Sequence, residues 1–170
     1  MSRAGTRILG IDTSLRSTGV GVVDAQGNSL RAVDFGFLKT SPKWRHSECL
    51  KTIADGIREM IAKTQPTAAA IEGAFFFRNA KTAMVLGEAR GVAIAACAAA
   101  DLPVYEYAPR RVKQAVVGFG GAEKKQVARM VMTLLGLDDE PQSDAADALA
   151  LAICHIHSDR GIPGTENERI

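Results

Sequence analysis

The sequence lacks the features that would place the protein in a membrane or outside the cytoplasm. Its N-terminus has no apolar stretch of the kind found in signal peptides, and its longest alanine-rich run, residues 92–100, has roughly half the length that a membrane span needs. Only three cysteines are present, Cys49, Cys97 and Cys154, an odd number with wide spacing. We therefore expect reduced core thiols and a soluble, cytoplasmic protein.

Length and composition are typical of a single folded domain. The chain has 170 residues, of which 46% are hydrophobic and 24% are charged, and this is enough for one sizeable core. We expect the domain to span residues 1–157. Residues 158–170 are rich in glycine, proline and charge, and we expect this tail to be disordered.

Apolar patterning predicts three strands followed by alternating helices and strands. Short apolar runs at 8–11 and 20–23 predict two buried strands, and 30–38 predicts a third at the edge of the sheet. Later strands are expected at 67–71 and 103–107, and helices from Ser47 to before Pro66 and over 79–100, 109–116, about 127–135 and 144–157. The order βββαβαβ predicts a three-layer α/β/α domain with a five-stranded mixed sheet.

Two of the buried strands end in an acid. Asp12 follows the run 8–11, and Glu72 follows the run 67–71. Ligands of such sheets bind beyond the carboxyl ends of the parallel strands. A carboxylate in this position is costly to desolvate unless a hydrogen-bond donor or a cation compensates it. For Asp12 two interpretations stand, an Asx residue that caps its own turn and a metal ligand.

Two more acids stand at the start of the last helix. Asp144 and Asp147 are spaced i, i+3, so they share one face of the first turn, and Ser143 before them is a good N-cap. Acids also occur in first turns simply because the helix dipole favours them. This helix is otherwise apolar all round and should be buried. The four carboxylates are therefore candidates to converge where strand ends meet a helix start.

The type of ligand indicates the cation. Carboxylates without thiolate or imidazole favour Mg²⁺, with Mn²⁺ as a substitute, over zinc. Two such ions about 4 Å apart can activate water and stabilise the leaving oxygen of a phosphodiester, which is nuclease chemistry. The spacing of Cys154, His155 and His157 could suggest a zinc site, but these residues lack a second ligand pair.

A basic band precedes the acidic cluster. Residues 109–129 hold six basic residues against one acid, whereas residues 137–147 hold five acids and no base. The basic residues are Arg110, Arg111, Lys113, Lys124, Lys125 and Arg129. This distribution suits a protein that binds a polyanion and a divalent cation side by side, although solvated helix faces give such runs too.

Four segments carry a family resemblance: ILGIDTSLRSTGVGV, AAIEGAFFFRNAKTAMVLGEARGVAI, YAPRRVKQAVVGFGGAEKKQV and PQSDAADALALAI. In order and spacing they resemble the RuvC family, the Holliday-junction resolvases of the RNase H-like superfamily, over about residues 7–157. The resemblance matches Lys113 and Lys124 to basic residues near the scissile phosphates, and Phe75 to an aromatic that stacks on bases at the crossover. It matches the four catalytic acids to Asp12, Glu72, Asp144 and Asp147.

What the resemblance implies is a structure-selective endodeoxyribonuclease that resolves four-way DNA junctions by paired symmetric nicks, with two Mg²⁺ per active site. It also implies a homodimer and a branch-migration motor of the RuvA and RuvB type as partner. Alongside Phe75, Lys113 and Lys124, we predict DNA contacts by Arg78, Arg110, Arg111 and Lys125. The chain departs from the family where Thr13 and Ser14 replace the usual Pro-Gly and where the loop 75–77 is entirely phenylalanine.

Dimer formation has a candidate element in the helix 79–100. Gly87, Gly91 and Ala95 form a stripe of small residues at i, i+4 and i+8 that would permit close approach of a second copy. The same stripe could instead pack on the protein's own sheet. Both interpretations stand on the sequence.

Three other functions compete with junction resolution. The hairpin GIDTSLRSTGVGV also resembles the phosphate-binding hairpin of actin-like ATPases and sugar kinases, but those proteins need a second lobe, for which 170 residues leave no room. A junction-binding protein without catalysis would keep the fold and use the acids only as caps. A related RNase H-like nuclease could act on RNA.

Overall fold

The structure, a computed structural model, describes residues 6–73, 78–159 and 168–170. Its strands are β1 (Thr6–Asp12), β2 (Ser17–Gln26), β3 (Ser29–Lys39), β4 (Ala68–Glu72), β5 (Val104–Tyr107) and β6 (Glu168–Arg169). Its helices are α1 (His46–Thr64), α2 (Ala80–Ala98), α3 (Pro109–Val117), α4 (Lys124–Leu135) and α5 (Ser143–Asp159). Among these helices none is long and apolar enough to cross a membrane.

The strands form one mixed sheet in the order β3-β2-β1-β4-β5-β6. β1 pairs antiparallel with β2 and parallel with β4, so Asp12 and Glu72 end neighbouring strands that run in the same direction. The mixed α/β architecture is confirmed, with β3 on the edge as predicted. The count of five strands is wrong by one, because Glu168 and Arg169 add a short sixth strand beside β5.

The tail predicted to be disordered is only partly described. Ser158 and Asp159 belong to α5, which runs two residues beyond the predicted end at 157. Residues 160–167 lie outside the described residues. Beyond them β6 is held by pairing with β5, and the Ile170 backbone N–H donates to Val104 O at 3.0 Å. Exposed polar residues in so short a strand leave no periodic signal in the sequence.

Helices cover both faces of the sheet and bury two apolar cores. α1 and α2 pack on one face, where Ile53 and Ile57 meet side chains of the central strands. α3, α4 and α5 pack on the other face, and α5 is buried along nearly its whole length. The three cysteines are buried and unpaired, as expected.

Glycines let α5 lie directly on the strands that carry the site. A Cβ atom at Gly10 would stand 1.8 Å from the Ala148 carbonyl oxygen, and one at Gly19 would stand 1.9 Å from the Asp144 carbonyl oxygen. Any side chain at either position would therefore force the helix away from the sheet. This close approach brings the first turn of α5 to the end of β1.

Candidate active site

Three of the predicted acids meet at the carboxyl end of the sheet. Each of Asp12, Asp144 and Asp147 offers a carboxylate oxygen, and these oxygens all lie within 4.8 Å of one another. Glu72, at the end of the neighbouring strand β4, lines the same cavity as Asp12 and Asp147, and this cavity has a volume of about 340 Å³. The structure thus brings together all four carboxylates that the sequence proposed.

Crowding and burial disfavour negative charge in this cluster. The pKa of Asp12 is raised to about 7, chiefly by burial and then by the negative charges of the other three acids. Burial, followed by the charge of Asp147, also raises the pKa of Glu72. The pKa of Asp147 is raised by burial as well, against the influence of Lys124. The cluster therefore carries more acid than the protein's own cations neutralise, and its oxygen donors fit hard divalent cations.

Both predicted lysines reach this cavity. The Lys124 Nζ lies 2.7 Å from Asp147 Oδ2, and the Lys124 pKa is raised by that hydrogen bond. Lys113 lines the cavity and its charge lowers the pKa of Glu72. Two cationic side chains therefore border the acids in this cavity.

Asp144 is held by two residues that the sequence did not single out. Ser17 Oγ donates to Asp144 Oδ2 at 2.5 Å, and Gln142 Nε2 donates to the same oxygen at 2.9 Å. Gln142 also caps the helix, because its Oε1 accepts from the backbone N–H groups of Asp144 and Ala145. The prediction of Ser143 as N-cap is wrong, since Ser143 is the first residue of α5.

The predicted DNA contacts are dispersed. Lys125 is exposed beside a second cavity of about 300 Å³ that Lys124 and Asp147 also line. Arg110 and Arg78 are exposed, and Phe75 lies outside the described residues. Arg111 is partly buried and turns to α5, where its Nη2 donates to Ser158 Oγ at 2.7 Å.

No zinc site forms from the residues of α5 within the described chain. Cys154 is buried, and His155 Nδ1 is hydrogen-bonded to the Tyr107 hydroxyl at 2.7 Å. The His157 Nδ1 lies 2.9 Å from the Ala115 carbonyl oxygen. These side chains serve packing and hydrogen bonding in the core.

The family model described as "Crossover junction endodeoxyribonuclease RuvC" matches residues 8–155. The chain belongs to the RuvC family. Among its relatives, RuvC of Azoarcus sp. is 50% identical over 171 residues, which cover 96% of this chain and 91% of the relative. RuvC of Vibrio parahaemolyticus is 51% identical over 153 residues, covering 90% of this chain and 88% of the relative.

Solved structures of two Holliday junction resolvases are similar in fold to this chain. The structure of T. thermophilus RuvC in complex with a Holliday junction substrate has a TM-score of 0.89 at 36% identity, covering 97% of this chain and 99% of that one. The yeast mitochondrial Holliday junction resolvase Ydc2 has a TM-score of 0.66 at 11% identity, covering 89% of this chain and 78% of that one. At this low identity, the similarity to Ydc2 shows a shared fold and nothing more.

Proposed function

We propose that this RuvC-family protein resolves four-way DNA junctions by paired, metal-dependent hydrolysis of phosphodiester bonds. The observation that carries the proposal is that carboxylate oxygens of Asp12, Asp144 and Asp147 lie within 4.8 Å of one another. Asp12 and Asp147 also line a cavity together with Glu72 and Lys124. A junction-binding protein without catalysis would have no need of such a costly cluster. The relative from T. thermophilus was solved with a Holliday junction as its substrate.

The four acids would hold two divalent cations, Mg²⁺ in the cell and Mn²⁺ as a substitute. When bound, such cations lower the pKa of water and neutralise charge on the phosphate. The acids fit the binding of cations, because their raised pKa values show that their negative charges are not balanced by positive charge in the site. Hard carboxylate oxygens, with no thiolate or imidazole among them, favour these ions over zinc.

Lys124 and Lys113 would act on the substrate's phosphate. Lys124 borders Asp147, and Lys113 lines the same cavity, where its charge acts on Glu72. An ammonium group fixed there offsets the charge that builds up on the phosphate oxygens in the transition state. In the reaction, the oxygen of water bonds to phosphorus and the bond to the 3′ oxygen breaks. The 3′ oxygen takes up a proton, which leaves a 3′-hydroxyl and a 5′-phosphate.

Two symmetric cuts call for two active sites, so we propose a homodimer. The stripe of Gly87, Gly91 and Ala95 on α2 is exposed, and nothing stands within 4 Å of a Cβ atom placed at either glycine. Met84, one turn before Gly87, is 67% exposed. The interpretation that the stripe packs on the protein's own sheet is wrong, because Ala89 and Ala93 form the buried face instead.

For the cellular setting we propose the cytoplasm, where chromosomal DNA forms junctions, and a branch-migration motor of the RuvA and RuvB type as the partner that delivers them. Family membership supports both. Co-purification of the motor proteins with the resolvase on a junction would test the partnership.

Substrate choice tests the function. Wild-type protein should be incubated with a labelled four-way junction, a linear duplex of the same sequence, an RNA–DNA hybrid and ATP, each with Mg²⁺ or with a chelator. We expect cleavage of the junction alone, and only with Mg²⁺. Preferential cleavage of the hybrid would favour an RNA nuclease, and ATP hydrolysis would favour the kinase-like alternative.

A further inference from the structure

The connection between β3 and α1 begins beside the acidic cluster. Lys39, the last residue of β3, is the cross-strand partner of Ser17, whose hydroxyl binds Asp144. The connection therefore lies at the same end of the sheet as the four acids, the end at which β1 and β4 terminate. We refer to residues 39–45 as the KW segment, after Lys43 and Trp44.

Buried hydrogen bonds fix the KW segment to the turn that follows Asp12. Thr40 is buried, its Oγ1 donates to Leu15 O at 2.6 Å, and its backbone N–H donates to Arg16 O at 3.1 Å. Arg16 Nη1 in turn donates to Ser41 O at 2.9 Å. The turn that follows Asp12 therefore holds the KW segment in place.

The KW segment presents positive charge that no carboxylate of the described residues pairs with. Lys39, Lys43 and Arg45 are exposed, and among the residues that the structure describes none of the three forms an ion pair. The nearby acid Glu48 is engaged as a helix cap, because its Oε2 accepts the Arg45 backbone N–H at 2.7 Å. Basic side chains elsewhere, such as Arg7 and Lys63, do have carboxylate partners.

An exposed indole stands between these bases. Trp44 is 46% exposed, and its backbone is fixed by a bond from its N–H to Ser41 O at 3.1 Å. Basic residues interleaved with an exposed aromatic ring form the surface that nucleic acid favours, with phosphates on the cations and sugars or bases against the ring. A protein partner would need acidic residues to pair with these bases. Protein binding would also not explain why the bases and the exposed indole lie beside a nuclease site.

Sheet order places the acids between two basic surfaces. β3 lies at one end of the order β3-β2-β1-β4-β5, and α3 with Lys113 follows directly after β5. We propose that the KW segment is a second DNA-contact surface. It holds the phosphate backbone of a junction arm, and it does so on one side of the cleavage point while Lys113 lies on the other. Lys39, Lys43 and Arg45 contact phosphates, and Trp44 packs against the DNA. This inference rests on the proposed function, since it needs a DNA substrate.

The protein carries its own reporter for this contact, because Trp44 is its only tryptophan. Full-length protein is titrated with a four-way junction in the presence of a chelator, so that no strand is cut. Binding is followed by anisotropy of a dye on the DNA, and Trp44 is followed by its emission and by acrylamide quenching. Saturation with junction should change the emission and lower the quenching constant several-fold.

A charge-removal variant tests the phosphate contacts separately. Each phosphate contact contributes about 0.9 to the magnitude of the slope of log K against log salt. Lys43→Gln with Arg45→Gln should therefore reduce that magnitude by about 2 for each protomer that contacts the junction. Neither change touches the backbone bonds that fix the segment. The matched control is Arg31→Gln with Lys63→Gln, which removes the same charge from the opposite end of the sheet and should leave the slope unchanged.

Three results would overturn the inference while leaving the proposed function intact. The first is junction binding, measured by anisotropy, that changes neither the emission nor the quenching of Trp44. The second is a salt slope in the Lys43 and Arg45 double variant that equals the slope of the wild type. The third is a Trp44 already shielded from acrylamide without DNA, which would mean that a second copy covers it. Absence of any junction binding would instead contradict the proposed function itself.

Discussion

Ser17 donates its hydroxyl to Asp144 Oδ2 at 2.5 Å, which joins the first residue of β2 to the first turn of α5. Gln142 donates to the same oxygen at 2.9 Å. Among the described residues, no group donates a hydrogen bond to the other oxygen, Oδ1. The two donors therefore fix the orientation of the carboxylate and leave one oxygen for a cation.

Replacing Ser17 should weaken metal binding at the proposed site without unfolding the protein. Loss of a group that orients a ligand typically lowers metal affinity, and we expect Ser17→Ala to raise the dissociation constant for Mn²⁺ by roughly tenfold. Isothermal titration with Mn²⁺ measures this directly. Ser17→Thr should restore the affinity, and Ser29→Ala, at the exposed far end of the sheet, should not change it. Unaltered affinity in Ser17→Ala would show that the hydrogen bond serves packing only.

Lys124 should matter more for the rate than for binding. Because its ammonium group borders Asp147 in the cavity, Lys124→Ala should lower the single-turnover rate at saturating protein by about 10²-fold, as expected for a group that stabilises transition-state charge. Lys125→Ala, which changes the exposed residue next to Lys124, should lower this rate much less. The rate of Lys113→Ala can be compared with both. A loss confined to a salt-sensitive binding constant would make Lys124 a phosphate clamp instead.

The acidic cluster should destabilise the metal-free protein as the pH rises. The pKa of Asp12 is about 7 in the fold and near 3.8 in the unfolded chain, so the folded state binds more protons between these values. Stability is therefore lost progressively from about pH 4 to pH 7. In chelator at pH 8, Asp12→Asn should raise the melting temperature by roughly 8 °C or more. About three pKa units correspond to roughly 4 kcal/mol, and each kcal/mol shifts the melting temperature of a domain of this size by about 2–4 °C.

The same substitution should have little effect on stability at pH 4, where Asp12 is protonated in the fold. Excess Mg²⁺ should narrow the difference at pH 8 by stabilising the wild type more than the variant. Thermal unfolding at both pH values provides the measurement. A melting temperature that falls on substitution at pH 8 would mean that the Asp12 carboxylate stabilises the fold without metal.

Substituting Gly91 should separate the protomers of the proposed homodimer. The position is exposed and has open space around a Cβ atom, so Gly91→Leu fits the isolated fold and even favours helix. Light scattering should report a folded monomer that nicks junctions without paired resolution. Thr82→Leu, on an exposed position away from the stripe, should remain dimeric. A dimeric Gly91→Leu protein would place the interface elsewhere.

The main features of the site could be predicted because they depend on simple patterns. Asp12 and Glu72 each follow a buried strand, and the apolar helix after Asp144 must lie in the core, so their convergence follows from parallel strand order. Ser17 and Gln142 gave no such signal, since a serine in a turn and a glutamine before a helix are ordinary. Their roles depend on which side chains the fold brings together.

Other differences have equally local causes. Arg110 and Arg111 look alike in the sequence, but successive residues on a helix point about 100° apart. Arg111 therefore faces α5 and Ser158, while Arg110 remains exposed. The strand β6 has only two residues, both exposed, and its pairing with β5 could not be read from periodicity.

Cleavage should require every carboxylate of the cluster. Asp12→Asn, Glu72→Gln, Asp144→Asn and Asp147→Asn should each abolish cutting at saturating Mg²⁺, because each would remove a charged oxygen ligand of the proposed metal site. Each variant should still bind the junction, since phosphate contacts dominate affinity. A residue whose variant keeps nearly wild-type activity is a helix or turn cap and not a ligand.

The most direct test of the account is the fate of the cut ends of a four-way junction whose strands are labelled one at a time. With wild-type protein and Mg²⁺ we predict two nicks at symmetry-related positions in two opposing strands, each sealed by DNA ligase without further treatment, because hydrolysis leaves a 5′-phosphate and a 3′-hydroxyl. Nicks that ligase cannot seal until a 3′-phosphate is removed, or cutting that persists in the four amide variants, would contradict metal-dependent resolution by this carboxylate cluster.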